Sequence, residues 1–188
     1  MEIQRVLVSF ILCSALSVSA VAFAQAGQPA KPPIGAKVPP AQVYSALLSR
    51  LEKEVVDAAE AMPEDRYDFA PTQGEFKGVR TFSSQVKHLA QANYHIWGAF
   101  AGSSADDGAY IDKLTTKADI VKALKDSFVM AHKAVDSITA DNAFEMTKTG
   151  TRAGMTTSGL AHLMDHYGQM VEYLRMNGIV PPASRGSN

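Results

Sequence analysis

The sequence predicts an all-α domain, a four-helix bundle. Two observations carry this. Between residues 41 and 177 apolar side chains recur at helical spacing in four segments of similar length, each marked at one end or both by a capping residue, a glycine or a proline. No segment shows the alternating pattern of a half-buried strand. The 188 residues are 46% hydrophobic and 20% charged, which suits one domain with a packed core. Lys and Arg number 18 and Asp and Glu 19, for a formal net charge of −1. A near-neutral chain without basic runs lacks the clustered cations that nucleic acid or an anionic membrane surface requires.

Residues 1–26 read as a signal peptide. Arg5 is followed by an apolar run from Val6 to Ala22, and then by Ala22-Phe23-Ala24 and Ala24-Gln25-Ala26. This basic, apolar, small-residue order predicts cleavage after Ala24 or Ala26 and a periplasmic or secreted product without stable membrane association. The alternative is an uncleaved N-terminal membrane anchor. Cys13, the only cysteine, falls inside this segment, so the mature chain has no disulfide and no thiolate ligand. Residues 27–40 contain five prolines (Pro29, Pro32, Pro33, Pro39 and Pro40) and read as an extended linker.

The bundle is expected over residues 41–182, with residues 183–188 as a tail. The first helix covers residues 41–62, with Val43, Tyr44, Leu47, Leu48, Leu51 and Val55 on one face and Pro63 at its end. Residues 63–80 form an irregular loop whose Tyr67, Phe69 and Phe76 pack on the bundle. The second helix covers residues 81–101, with Gly102 as its left-handed stop. Close helix approach is the expected reason for Gly98 within it. The third helix runs over residues 116–138 behind a Thr116–Asp119 capping box. The fourth starts at Thr156 or Thr157 and ends at Asn177, before Gly178 and Pro181-Pro182.

Five histidines are the candidates for chemistry: His88, His95, His132, His162 and His166. His162 and His166 are four apart on one helix, so both rings project from one face and can share an ion. His88 lies mid-way along the second helix, on the shoulder of its apolar stripe. His95 is seven residues further on, either a fourth ligand or a polar neighbour lining the groove. His132 reads as a surface residue. Asp165 and Gln169 lie one turn from the histidine pair and read either as partners orienting an imidazole or as solvated helix residues. Nothing in the spacing supports Glu54 or Glu172 as a general base. Spacing alone leaves a metal site and ordinary surface histidines both open.

Longer motifs add a resemblance. The fourth helix reads His162-Leu-Met-Asp-His166-Tyr-Gly-Gln169, then Tyr173-Leu-Arg175 and Gly178-Ile-Val-Pro-Pro182. Upstream stand Tyr67-Asp-Phe-Ala-Pro71, Val79-Arg-Thr-Phe82, His88-Leu-Ala90 and Asn93. Over about residues 41–182 this resembles the DinB-like superfamily, the DinB/YfiT-like metalloenzymes. The resemblance implies an up-down-down-up bundle and one divalent metal ion, usually zinc or nickel, bound by histidines that map to His88, His162 and His166. It also implies open coordination positions. Characterised relatives include thiol-dependent S-transferases and a maleylpyruvate isomerase. The chain departs from the pattern at Tyr167, where members commonly carry Arg. Export is a second departure, since low-molecular-weight thiols are chiefly cytosolic.

Three imidazoles with an open position suit activating water or a thiol, or polarising a carbonyl. The expected function is an exported metal-dependent hydrolase or thiol-type transferase. The alternatives are a non-catalytic metal- or small-ligand-binding bundle and a structural module. The sequence names no substrate and leaves a homodimer open. Glycine-rich nucleotide motifs and the G-x-S-x-G elbow are absent.

Overall fold

The computed structural model describes residues 31–103 and 105–186. The expected signal peptide lies outside them. Four helices account for most of the rest: α1 (Pro40–Ala61), α2 (Phe82–Ala101), α3 (Lys117–Asp136) and α4 (Arg152–Met176). Among the described residues strand pairing is limited to a single bridge, Met146 with Thr151. No helix of the described residues is long and apolar enough to cross a membrane.

Local chemistry sets the helix ends. Pro40 opens α1, where a missing N–H is harmless. Met62 is extended because Pro63 follows it, so α1 stops at Ala61, one residue short of expectation. Thr81 Oγ1 accepts from the Ser84 amide and Thr116 Oγ1 from the Asp119 amide, each at 3.1 Å. Gly102 ends α2 at φ 77°, and Gly178 follows α4 at φ 73°.

The start of α4 corrects the sequence reading. The helix begins at Arg152 rather than Thr156 or Thr157, capped by Thr151 Oγ1, which accepts from the Gly154 amide at 3.1 Å. Gly154 lowers helix propensity and masks this cap in the sequence. Ile138, expected on α3, lies beyond its end and packs with Ala143 and Ala153 in a small second cluster. Val43 and Leu47 of α1 are 45% and 44% exposed rather than part of the buried core.

Each helix packs against two others, in the ring order α1, α3, α2, α4. Ser45, Glu52 and Glu60 of α1 meet Asp136, His132 and Lys125 of α3, so these two helices run antiparallel. Tyr44 and Leu51 share one groove with Thr157 and Met164, and the turn that follows α4, at Pro182, lies beside Asp57, Glu60 and Ala61 at the end of α1, so α1 runs parallel to α4. Contacts between α2 and α4 are antiparallel, as described below. The topology is therefore up-down-down-up. Since α2 and α3 point the same way, the connection must return along α2. The 3₁₀ segment Ala105–Lys113 does so, with Gly108 against Tyr94 and the Lys87 ammonium donating to the Asp112 carbonyl at 3.3 Å. The core between the four helices includes Leu48, Val55, Phe82, Leu89, Trp97, Leu124, Phe128, Leu163 and Met170, all fully buried.

One glycine lets two helices meet. A Cβ at Gly159 of α4 would lie 2.5 Å from Trp97 Cζ2 of α2, whereas one at Gly98 would meet nothing nearer than 3.8 Å. Close approach therefore belongs to Gly159, not to Gly98 as expected. At the other end, the 3₁₀ turn Pro182–Ser184 sits against α1, so the expected tail is partly packed.

Candidate metal centre

The facing stripes of α2 and α4 meet in rungs. At the foot, Tyr173 Oη donates to the Arg80 carbonyl at 3.0 Å. One turn up, Gln85 meets both Gln169 and His166. Above that, His88 meets His162. Numbers rise along α2 as they fall along α4, which fixes the antiparallel packing. Helical spacing does the rest: Gln85 and His88 are three apart, while His162, His166, Gln169 and Tyr173 are three or four apart.

The three histidines form one cluster. Their ring centroids are 4.5–5.1 Å apart and every pair is edge-to-face. One nitrogen from each lies within 4.8 Å of the others, close enough to hold a single metal ion. The Nε2 atoms of His88 and His162 are 3.1 Å apart. Zinc–imidazole bonds of about 2.0–2.1 Å in a tetrahedron place neighbouring nitrogens about 3.3 Å apart, so this pair is spaced for a shared ion. The donor set fits as well, because neutral imidazoles suit zinc and nickel.

A chain of hydrogen bonds fixes the third ring. The Asp165 carboxylate can only accept, so Gln169 donates to it with Nε2, at 3.1 Å. Gln169 Oε1 then accepts from Gln85 Nε2 at 2.7 Å, which leaves Gln85 Oε1 to accept from His166 Nδ1–H at 2.7 Å. The polarity is set by the carboxylate and runs one way. It puts the proton of neutral His166 on Nδ1 and its lone pair on Nε2.

Burial keeps all three rings neutral. Desolvation is the first cause of the lowered pKa of His88, His162 and His166, and the last is pushed down to about 4. Arg80 contributes to each lowering. Asp165 acts the other way on His162 and His166. Lone pairs are thus available at neutral pH. The Nδ1 atom of His162 is buried without a partner among the described residues.

This arrangement coincides with a family match. The family model of the DinB superfamily matches residues 47–170, a span holding all three histidines and both glutamines. The chain belongs to the DinB superfamily. No curated protein matches it.

Against this DinB scaffold the remaining sequence candidates separate. Asp165 and Gln169 join the cluster through Gln85, which the sequence reading missed. Its signal was available: a glutamine one turn before His88, on the same face of α2. His95 is exposed and is not gathered with the other three. His132 is half-buried rather than a free surface residue, with Nε2 2.7 Å from Glu52 Oε2 across the α1–α3 seam. Tyr167, at the position where DinB members commonly carry Arg, is half-buried and feels the charge of Glu54 on α1.

Proposed function

We propose that His88, His162 and His166 hold one divalent ion, zinc or nickel, and that the protein is an exported metal-dependent enzyme, a hydrolase or a thiol-type transferase. The observation that carries this reading is the meeting of three neutral imidazoles from two helices, one with its tautomer already set. When bound, the ion supplies a Lewis acid with open positions for a substrate oxygen or sulfur. The protein's own part is to orient. Gln85 holds the His166 ring, Gln169 and Asp165 hold Gln85, and the close α2–α4 packing sets His88 against His162. Export is supported by the order of residues 1–26.

The test is metal analysis of protein purified without chelator, followed by a screen of ester, amide, phosphoester and thiol-transfer substrates on loaded and stripped samples. One ion per chain and an activity lost on stripping are expected. Absence of bound ion would remove the reading. A bound ion with no activity across the screen would leave a binding protein instead.

A further inference from the structure

Arg80 stands at the foot of the α2–α4 seam that carries the three histidines. Its main chain is held in place: Tyr173 Oη donates to its carbonyl, and the Phe82 and Ser83 amides, two and three residues on, donate to the Phe69 and Tyr67 carbonyls at 2.8 and 2.7 Å. Thr81, the N-cap of α2, follows it directly. The side chain is exposed and makes no hydrogen bond or ion pair among the described residues. The rise from Thr81 to His88 is about 10 Å, most of which an extended arginine can span. Its charge bears on all three imidazoles at once.

For a cation this is an unfavourable place. A guanidinium whose charge reaches three metal-spaced imidazoles repels the ion that they would hold. Among the described residues, Asp165 is the carboxylate whose charge reaches the cluster, and the Gln169 amide already engages it. An ion on three neutral ligands, within reach of the Arg80 charge, leaves the site positive. A ligand that settles both charges must be negative, and must offer more than one oxygen. A planar five-donor guanidinium fits such a group in a forked pair of hydrogen bonds.

We propose that the site takes a small oxyanionic substrate, a carboxylate or a phosphate ester, with one oxygen at the ion's open position and its neighbour held by the Arg80 guanidinium. This rests on the three-histidine metal reading above. Arg80 then recognises substrate, and its neutralisation by the bound anion offsets the repulsion it imposes on the empty site.

The experiment is calorimetric titration of the zinc-loaded protein with succinate, inorganic phosphate and the neutral analogue succinamide, with zinc content measured on the same samples. Wild type, Arg80→Ala and Arg80→Lys are compared. Wild type should bind at least one of the anions and not succinamide; which anion binds tells carboxylate from phosphate. Arg80→Ala should bind about 10–100-fold more weakly, the usual loss of charge-assisted hydrogen bonds. Arg80→Lys should fall between, because it keeps charge without the fork. Zinc content should be undiminished in both variants, since a repelling charge has gone or stayed.

Equal anion affinity in Arg80→Ala with zinc retained would overturn the assignment of Arg80 while the metal reading stands. No anion binding to loaded wild type would overturn the substrate class. A wild-type chain without zinc would sink the metal reading and this inference with it.

Discussion

Replacing Gln85 by leucine removes one side chain from the middle of the Asp165–Gln169–Gln85–His166 chain and keeps its bulk. Gln85 is 2% exposed, so water cannot take its place. The His166 Nδ1–H, now buried without an acceptor, costs about 1–3 kcal/mol. Part of that strain is relieved if the proton moves to Nε2, but that blocks the lone pair aimed at the cluster. Losing the partner that orients a ligand imidazole weakens metal binding about 10–100-fold. Gln85→Leu should therefore lose stability without metal and also lose zinc affinity. Gln85→Glu keeps an acceptor for Nδ1–H and should keep most of the affinity. Urea unfolding of the metal-free protein, zinc competition against a chromophoric chelator, and ¹⁵N shifts of the His166 ring read the three effects. Unchanged zinc affinity and an unchanged His166 tautomer in Gln85→Leu would refute the chain as the element that sets this ring.

Three further outcomes follow from the same geometry. His88→Ala, His162→Ala and His166→Ala should each lose the ion yet stay helical by circular dichroism, while His95→Ala and His132→Ala keep it; a fully loaded His88→Ala would undo the cross-helix site. With His166 neutral down to about pH 4 in the fold and protonating near pH 6.5 in the unfolded chain, the unfolded state binds more protons between those values. Metal-free stability should hold above about pH 6.5 and fall towards pH 4, by up to about 3 kcal/mol from this group, and His166→Asn should flatten that part of the urea-midpoint profile. If wild type and His166→Asn trace parallel profiles, the buried neutral ring is wrong. Gly159→Ala should cost about 1–3 kcal/mol through its clash with Trp97, whereas Gly98→Ala should be neutral or stabilise by about 1 kcal/mol, as urea midpoints will show. An unaffected Gly159→Ala would contradict the close approach of α2 and α4.

The fold was largely legible in the sequence because its helices are amphipathic and punctuated. Thr81, Gly102, Thr116 and Gly178 mark ends that the structure keeps. Thr151 was hidden by Gly154, since a propensity argument weighs the glycine and overlooks the cap three residues before it. The pairing of His162 with His166 follows from one helix's geometry, but nothing within α2 or α4 alone says that His88 faces them. That took the resemblance, and then the rungs. His95 shows the opposite failure. It shares an angle with His88 on the wheel but stands about 10 Å further along the axis, and a wheel carries no axial distance. Gln85 went unseen because an amide has no charge to flag it, although its place one turn before His88 was written in the sequence.

Trp97 is the only tryptophan in the chain, and its ring lies against Gly159, one turn from His162. It is fully buried, and its Nε1–H has no partner among the described residues. The protein thus carries its own optical reporter at the seam that brings the ligand helices together. Its emission should be blue-shifted when folded, and should move to the red as α2 and α4 part. A paramagnetic ion such as nickel seated between the imidazoles should dim the same indole, while zinc should leave its intensity nearly unchanged. Occupancy and helix separation can then be followed in one cuvette, without a label.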